Sequence, residues 1–177
     1  IENQNINFNK VEDIENDDIP AEAFEGIEII FHLAGYAHDL SGRSDNKDKY
    51  FSLNVDATMR LANLASLAKE KKFIFVSSVK AGSFHNKNSL NYDLSVKSHE
   101  IYGISKRQAE ISLLELAIST SMDISILRPS LVYGPKVKGN LQAMQSAIKR
   151  GWFPPLPKLS NCRSMIHVDD VARSLLF

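Results

Sequence analysis

Three apolar runs, Ile27-Glu-Ile-Ile-Phe-His-Leu-Ala-Gly35, Phe73-Ile-Phe-Val-Ser-Ser78 and Ile124-Ser-Ile-Leu-Arg-Pro129, constrain this chain more than anything else in it. Each is short, nearly continuous in apolar character and rich in β-branched or aromatic residues. Strands buried on both faces, as in parallel sheets, read this way. Helical patterns separate the runs, and strand, helix, strand, helix is the order of a doubly wound α/β sheet. The segments 27–34, 73–78 and 124–128 are therefore expected to be neighbouring parallel strands. In such sheets ligands sit beyond the carboxyl ends of the strands, where Gly35, Ser78 and Pro129 fall.

The helical stretches carry the polar residues of interest. From Asp48 to Lys72, Phe51, Asn54, Val55, Thr58, Leu61, Ala62, Ala65 and Ala68 recur at helical spacing and mark one buried face. Asn54 is its odd member, either a core amide satisfied by backbone or a functional group. A second helix runs from Tyr102 to about Thr120, with Leu113, Leu114, Leu116, Ala117 and Ile118 as its apolar bulk. It places Tyr102 and Lys106, four residues apart, on one face. An ammonium there can stabilise the phenolate; bringing a phenol from its ordinary value to about 7 takes roughly 4 kcal/mol. Such a pair alone is equally a surface Tyr and Lys, and it is the surrounding strand ends that give it weight.

A further helix is expected over about 140–150, before the proline-rich segment 151–157, and Asp169-Asp170 opens another. Residues 1–26 are polar and acidic; Ile6–Phe8 is compatible with a short strand, and Glu12, Asp13, Glu15, Asp17 and Asp18 read as a solvated connection. Residues 36–48 form a polar loop. Residues 79–101 have no period, and a loop of that length suits a flap over substrate. His85 and His99 lack ligand-like spacing, so no metal site is expected.

Twenty-one basic residues balance 21 acidic ones, which removes any argument for non-specific nucleic-acid binding. A hydrophobic content of 44% suffices for the core of one α/β domain. The single cysteine, Cys162, rules out an internal disulfide and points to a reducing, cytoplasmic setting. No apolar stretch approaches membrane-spanning length, and no signal peptide is visible.

With these residues in place, the chain resembles the extended short-chain dehydrogenase/reductase superfamily in its nucleotide-sugar epimerase/dehydratase branch, typified by UDP-glucose 4-epimerases. The matching stretches, in family order, are His32-Leu-Ala-Gly35, Asn54-Val-Asp-Ala-Thr58, Ser77-Ser78, Tyr102-Gly-Ile-Ser-Lys106, Leu127-Arg-Pro129, Val132-Tyr-Gly-Pro135 and Ile166-His-Val-Asp-Asp-Val-Ala172. The region after Ser78, Gly134–Asn140 and Asn161–Ser164 further resemble a subgroup linked to bacterial surface-polysaccharide sugars.

The resemblance implies a Rossmann-like sheet and NAD as cofactor, with NADP not excluded. It makes Ser78, Tyr102 and Lys106 catalytic, and it places Leu33, Ala34, Gly35, Asn54, Ser77, Tyr102, Lys106 and Pro129 against the dinucleotide. It puts His38, Lys80, Asn140, Leu141 and Arg163 on the nucleotide-diphosphate sugar, Arg163 as a clamp for the diphosphate. A 4,6-dehydratase of this family carries Asp-Glu after its strand-end hydroxyl; Val79-Lys80 stand there instead, which disfavours dehydration. Epimerisation through a transient 4-keto sugar, or net reduction of a keto-sugar, remains. A non-catalytic dinucleotide-binding relative and an oxidoreductase of flavonoid or steroid ketones are the alternatives from other classes.

Family members open with a strand and a Gly-rich turn that seats the pyrophosphate on a helix N-terminus. The eight glycines here, at 26, 35, 42, 82, 103, 134, 139 and 151, have no such spacing. Residues 1–177 are therefore expected to be a partial NAD(P)-binding domain of a longer, homodimeric protein, lacking its first two strands and its C-terminal substrate region.

Overall fold

The computed structural model describes residues 14, 19–37, 47–68, 72–82, 101–137, 139–152, 160 and 162–176. They fall into two compact units divided after Arg128. In the first, a 3-10 turn at Ala21–Phe24 leads to β1 (Ile29–His32). Then α1 (Lys47–Phe51) passes through a π turn (Ser52–Asp56) into α2 (Ala57–Leu67), followed by β2 (Lys72–Val76), α3 (Ile101–Ser119) and β3 (Asp123–Leu127). The three strands are parallel in the order β1-β2-β3, as the apolar runs predict.

Register sets the core. Ile30, Phe73 and Ile124 are partners across the sheet, as are His32, Phe75 and Ile126, so all six share one face. Against it pack Ala62 and Ala65 of α2 and Ala109 and Leu113 of α3, all fully buried. The small alanines let both helices approach closely, and Phe73 and Phe75, fully buried, contribute about 1.5–3 kcal/mol each. On the opposite face the central strand keeps Ile74 buried, whereas Ile29 and Phe31 on β1 are 44% and 39% exposed. A continuous apolar run thus describes β2 well and overstates the burial of β1, which lies at the sheet's edge.

Helix boundaries differ from the expected ones for local reasons. The helix expected to reach Lys72 ends at Leu67, because Lys72 joins the ladder opposite Ile29 and Asp123. Its buried face runs through Asn54, Val55, Ala57, Thr58, Ala62 and Ala65, while Ala68 is exposed. α3 ends where the Ser119 and Thr120 hydroxyls donate to Leu116 O at 3.0 and 2.8 Å, side chains competing with the helical ladder. Ile118, expected to add apolar bulk, is 87% exposed. The buried face of α3 is instead largely polar in its first half, through Ser105, Lys106, Arg107 and Glu110.

The second unit holds β4 (Leu131–Tyr133), α4 (Asn140–Lys149), β5 (Met165–His167) and α5 (Val168–Ser174). β4 and β5 pair in parallel as a separate two-stranded sheet, which the sequence reading did not separate from the third strand. Gly134 is required beside them: a Cβ there would stand 2.6 Å from Val168 Cγ1. His167 caps α5, its Nδ1 accepting from Asp169 N at 3.3 Å, and Asp169 and Asp170 suit the positive end of that helix.

Among the described residues no helix is long and apolar enough to cross a membrane. The expected strand at 6–8, the acidic residues 12, 13, 15, 17 and 18, His38, and the flap over 83–100 with His85 and His99 lie outside the described residues. So does 153–159 of the proline-rich segment.

Candidate active site

The carboxyl ends of β1 and β2 and the first two turns of α3 meet around Lys106. The Lys106 ammonium donates to Val76 O at 3.1 Å, at the end of β2, and lies 4.5 Å from the centre of the Phe75 ring. A Cβ on Gly35 would stand 3.0 Å from Lys106 Nζ and 2.9 Å from Asn54 Oδ1, so only glycine lets the chain leaving β1 pass this close. Burial lowers the Lys106 pKa to about 8, with Glu110 one turn further along α3 opposing the shift.

Asn54 organises the segment after β1. Its Oδ1 accepts from Tyr36 N at 2.7 Å, and its Nδ2 donates to Tyr36 O at 2.9 Å and to Ser105 Oγ at 2.9 Å. Ser105 Oγ in turn donates to Tyr102 O at 2.9 Å. One fully buried amide therefore ties the exit of β1 to the first turn of α3. The π turn carries it: one residue more than an α-helical turn re-aims Asn54 relative to α2, a device common at functional sites. Below it, Thr58 Oγ1 donates its proton to Asn54 O at 2.9 Å and so must accept from His32 Nε2, also at 2.9 Å. That puts a proton on His32 Nε2. Burial, and secondarily the Lys106 charge, lowers its pKa to about 4.

Tyr102 sits one turn before Lys106. Burial raises its pKa, the hydrogen bond with the Ser78 side chain partly offsets this, and Tyr50 adds to the rise. The expectation that Lys106 would lower this phenol is not met here, because the ammonium is directed at Val76 O. Ser78 Oγ also accepts from Lys80 N at 3.2 Å, which caps the short turn Val79–Ala81. Lys80 Nζ lies 5.9 Å from the Tyr102 ring centre. Tyr36, Tyr50 and Tyr102 form an aromatic row with centroids 4.8 and 6.3 Å apart.

Ser78, Tyr102, Lys106, Gly35, Asn54 and Ser77 thus come together at these strand ends, with Leu33 and Ala34 exposed beside them on the segment leaving β1. Lys80 joins them beside Tyr102. Pro129, Asn140, Leu141 and Arg163 belong to the second unit, where Asn140 opens α4 after Gly139 and Arg163 is exposed. Sequence reasoning missed Ser105, Tyr36, Tyr50, Glu110 and Arg107. Only Ser105 and Glu110 had a readable signal, three residues after Tyr102 and four after Lys106 on the same helix. Among the described residues no group of His, Cys, Asp or Glu is placed to hold a metal ion.

A parallel α/β sheet with Ser, Tyr and Lys at its strand ends defines a Rossmann-like class of protein. The chain belongs to the NAD dependent epimerase/dehydratase family, whose model matches residues 3–177. It is 29% identical over 147 residues to UDP-glucose 4-epimerase of Vibrio cholerae, covering 81% of this chain and 45% of that protein. It is 27% identical over 174 residues to N-acetyl-alpha-D-glucosaminyl-diphospho-ditrans,octacis-undecaprenol 4-epimerase of Escherichia coli O157:H7, covering 95% of this chain and 50% of that protein. Among solved structures it resembles UDP-N-acetylglucosamine 4-epimerase from Methanobrevibacter ruminantium M1 in complex with UDP-N-acetylmuramic acid. There the TM-score is 0.78 and the identity 26%, over 93% of this chain and 55% of that one. The chain spans about half the length of these relatives.

The residues present fit part of a nicotinamide dinucleotide. Ser77 Oγ is buried with no hydrogen-bond partner among the described residues, a group awaiting one. Beside it, the tight approach at Gly35 brings the buried Lys106 ammonium up to the segment leaving β1.

Proposed function

We propose that this chain is the core of an NAD-dependent nucleotide-sugar 4-epimerase of the UDP-hexose type. One observation carries the reading: the Ser78 hydroxyl, at the end of a parallel strand, acts on the Tyr102 phenol, with Lys106 one helical turn away. Bound NAD supplies the capacity to accept and return a hydride. Gly35, Ser77, Tyr102 and Lys106 would hold its ribose and nicotinamide portion, with Leu33 and Ala34 lining the approach; Pro129, of the second unit, is a further candidate for the dinucleotide. Asn54 acts through the backbone of Tyr36.

Removing a hydride from a carbinol carbon requires its hydroxyl proton to leave as well. Tyr102 takes that proton and later returns it, and Ser78 donates to the same sugar oxygen and relays it. Tyr102 is raised by burial, so it needs a nearby positive charge to act as a base; with Lys106 turned to Val76 O, the oxidised nicotinamide would supply it. His38, Lys80, Asn140, Leu141 and Arg163 are the candidates for the nucleotide-diphosphate sugar. The N-terminal amides of α4 and the Arg163 guanidinium suit a diphosphate. Homodimerisation of the full-length protein is part of the same proposal.

The test is to incubate the full-length protein and NAD with UDP-glucose, UDP-N-acetylglucosamine or UDP-glucuronate deuterated at C4, and to follow the sugars by NMR. Interconversion of C4 epimers with the deuterium retained is the expected result. In a parallel incubation with NADH and a UDP-4-keto sugar, stoichiometric consumption of NADH without C4 epimerisation of the UDP-sugars would establish the reductase instead. Tyr102→Phe should lower turnover by about 10²-fold or more while leaving nucleotide-sugar affinity nearly unchanged.

A further inference from the structure

Glu110 has no role in the chemistry described so far, yet among the described residues of the first unit it is the most completely buried charge, 0% exposed. Tyr102, Lys106 and Glu110 follow one another at four-residue intervals and so share one face of α3. Two guanidinium groups close on the carboxylate. Arg107 Nη1 donates to Oε2 at 3.1 Å, and Arg128 donates from Nε to Oε1 at 2.8 Å and from Nη2 to Oε2. Three cations, Lys106, Arg107 and Arg128, thus surround one anion. A buried ion pair built only for packing is an expensive device, since desolvation offsets most of its attraction.

The network also reaches the strand ends. Arg128 directly follows β3, whose Leu127 O accepts from Ser77 N at 2.8 Å, next to Ser78. A Cβ on Gly82 would stand 3.3 Å from Arg128 Nη1, so the turn after Ser78 lies against the same guanidinium.

We infer that Glu110 is a positioning residue for the Tyr102–Lys106 site: it keeps the buried Lys106 ammonium charged and, by clamping Arg128, braces the strand ends that carry Ser78. The inference deepens the epimerase reading and rests on it for its meaning, but its test does not. The charged and titratable groups linked to Lys106 are His32 from β1 and Glu110 on α3, and Glu110 in turn pairs with Arg107 and with Arg128 after β3. His32 is neutral across the relevant pH range, since its pKa lies near 4. Glu110 is the one anion among them, and it opposes the loss of the Lys106 proton caused by burial.

The experiment is a pH titration of the Lys106 side chain by NMR in the full-length protein selectively labelled with ¹³C-lysine, the resonance assigned with Lys106→Arg. Glu110→Gln should lower the Lys106 midpoint by about one pH unit, and Arg107→Met should raise it by a comparable amount. Opposite signs cannot come from a general loss of packing. A Lys106 midpoint that stays put, or that moves the same way in both variants, overturns the inference. If Glu110→Gln does not fold, Arg107→Met decides alone: an upward move supports the role, and no move or a downward one rejects it. Because the titration needs no substrate, failure of the epimerase reading leaves its outcome intact.

Discussion

At the scale of single residues, the site is held by polar side chains whose partners are backbone groups. Asn54 is the clearest case. Asn54→Leu keeps the volume but strands Tyr36 N and O and removes the donor to Ser105 Oγ, and each part-buried group left unpaired costs about 1–3 kcal/mol. Loss of several kcal/mol in urea denaturation, with faster hydrogen exchange at the Tyr36 amide, is the expected outcome; unchanged exchange there would remove Asn54 from its role as a clamp. His32 makes a pH prediction. Its pKa falls from an ordinary 6.5 to about 4 on folding, so below 6.5 the unfolded chain takes up the proton first. Stability is fully present above pH 6.5 and declines toward pH 4, by about 3 kcal/mol in total. In His32→Gln that slope should flatten, as a series of denaturation curves between pH 4 and 7 will reveal.

At the scale of elements, the strands are fixed by their apolar partners rather than by ion pairs at their ends. Phe75, fully buried between α2, α3 and its neighbours, should cost about 3–5 kcal/mol on Phe75→Ala. The Lys72–Asp123 pair, 3.6 Å apart where β2 and β3 begin, has side chains 31% and 64% exposed. Asp123→Asn should therefore change stability by less than about 1 kcal/mol. Melting curves of the two variants, measured together, test this ordering. The elements were readable because β2 and β3 repeat apolar residues and α3 carries a long helical run. The π turn was not, since a single extra residue in a helix leaves no mark on a hydrophobic pattern that tolerates it. The end of the preceding helix was misplaced for a related reason: Lys69–Lys72 suits a helix intrinsically, and only the ladder with Ile29 and Asp123 draws Lys72 into a strand.

At the scale of the whole molecule, the eight glycines contain no turn spaced to seat a pyrophosphate. On the proposed reading, the residues assembled around Lys106 would reach the ribose and nicotinamide only. By itself this 177-residue chain should bind NAD no more tightly than about 1 mM. Isothermal calorimetry checks it, and micromolar binding would mean that another loop here does the work of the glycine-rich turn. The pairing of β4 with β5 also belongs to this scale. Each is only three residues long, too short to announce itself in a pattern, and each becomes a strand because the other lies beside it.

What the amino-acid order determines alone is local and periodic: three parallel strands, the face that α2 and α3 turn to them, and Tyr102 and Lys106 on one side of a helix. These follow from spacing, because the repeat of an element dictates which side chains share a face. The tertiary structure decided the rest. It turned Asn54 toward Tyr36, directed Lys106 to Val76 O instead of the Tyr102 phenol, and gathered Arg107 and Arg128 around Glu110. Those partners are 18 to 30 residues apart except for Arg107, and no local repeat encodes a contact across such a distance. The direction of a pKa depends on burial and on which charge arrives at the end of which strand, and both exist only once the chain has folded.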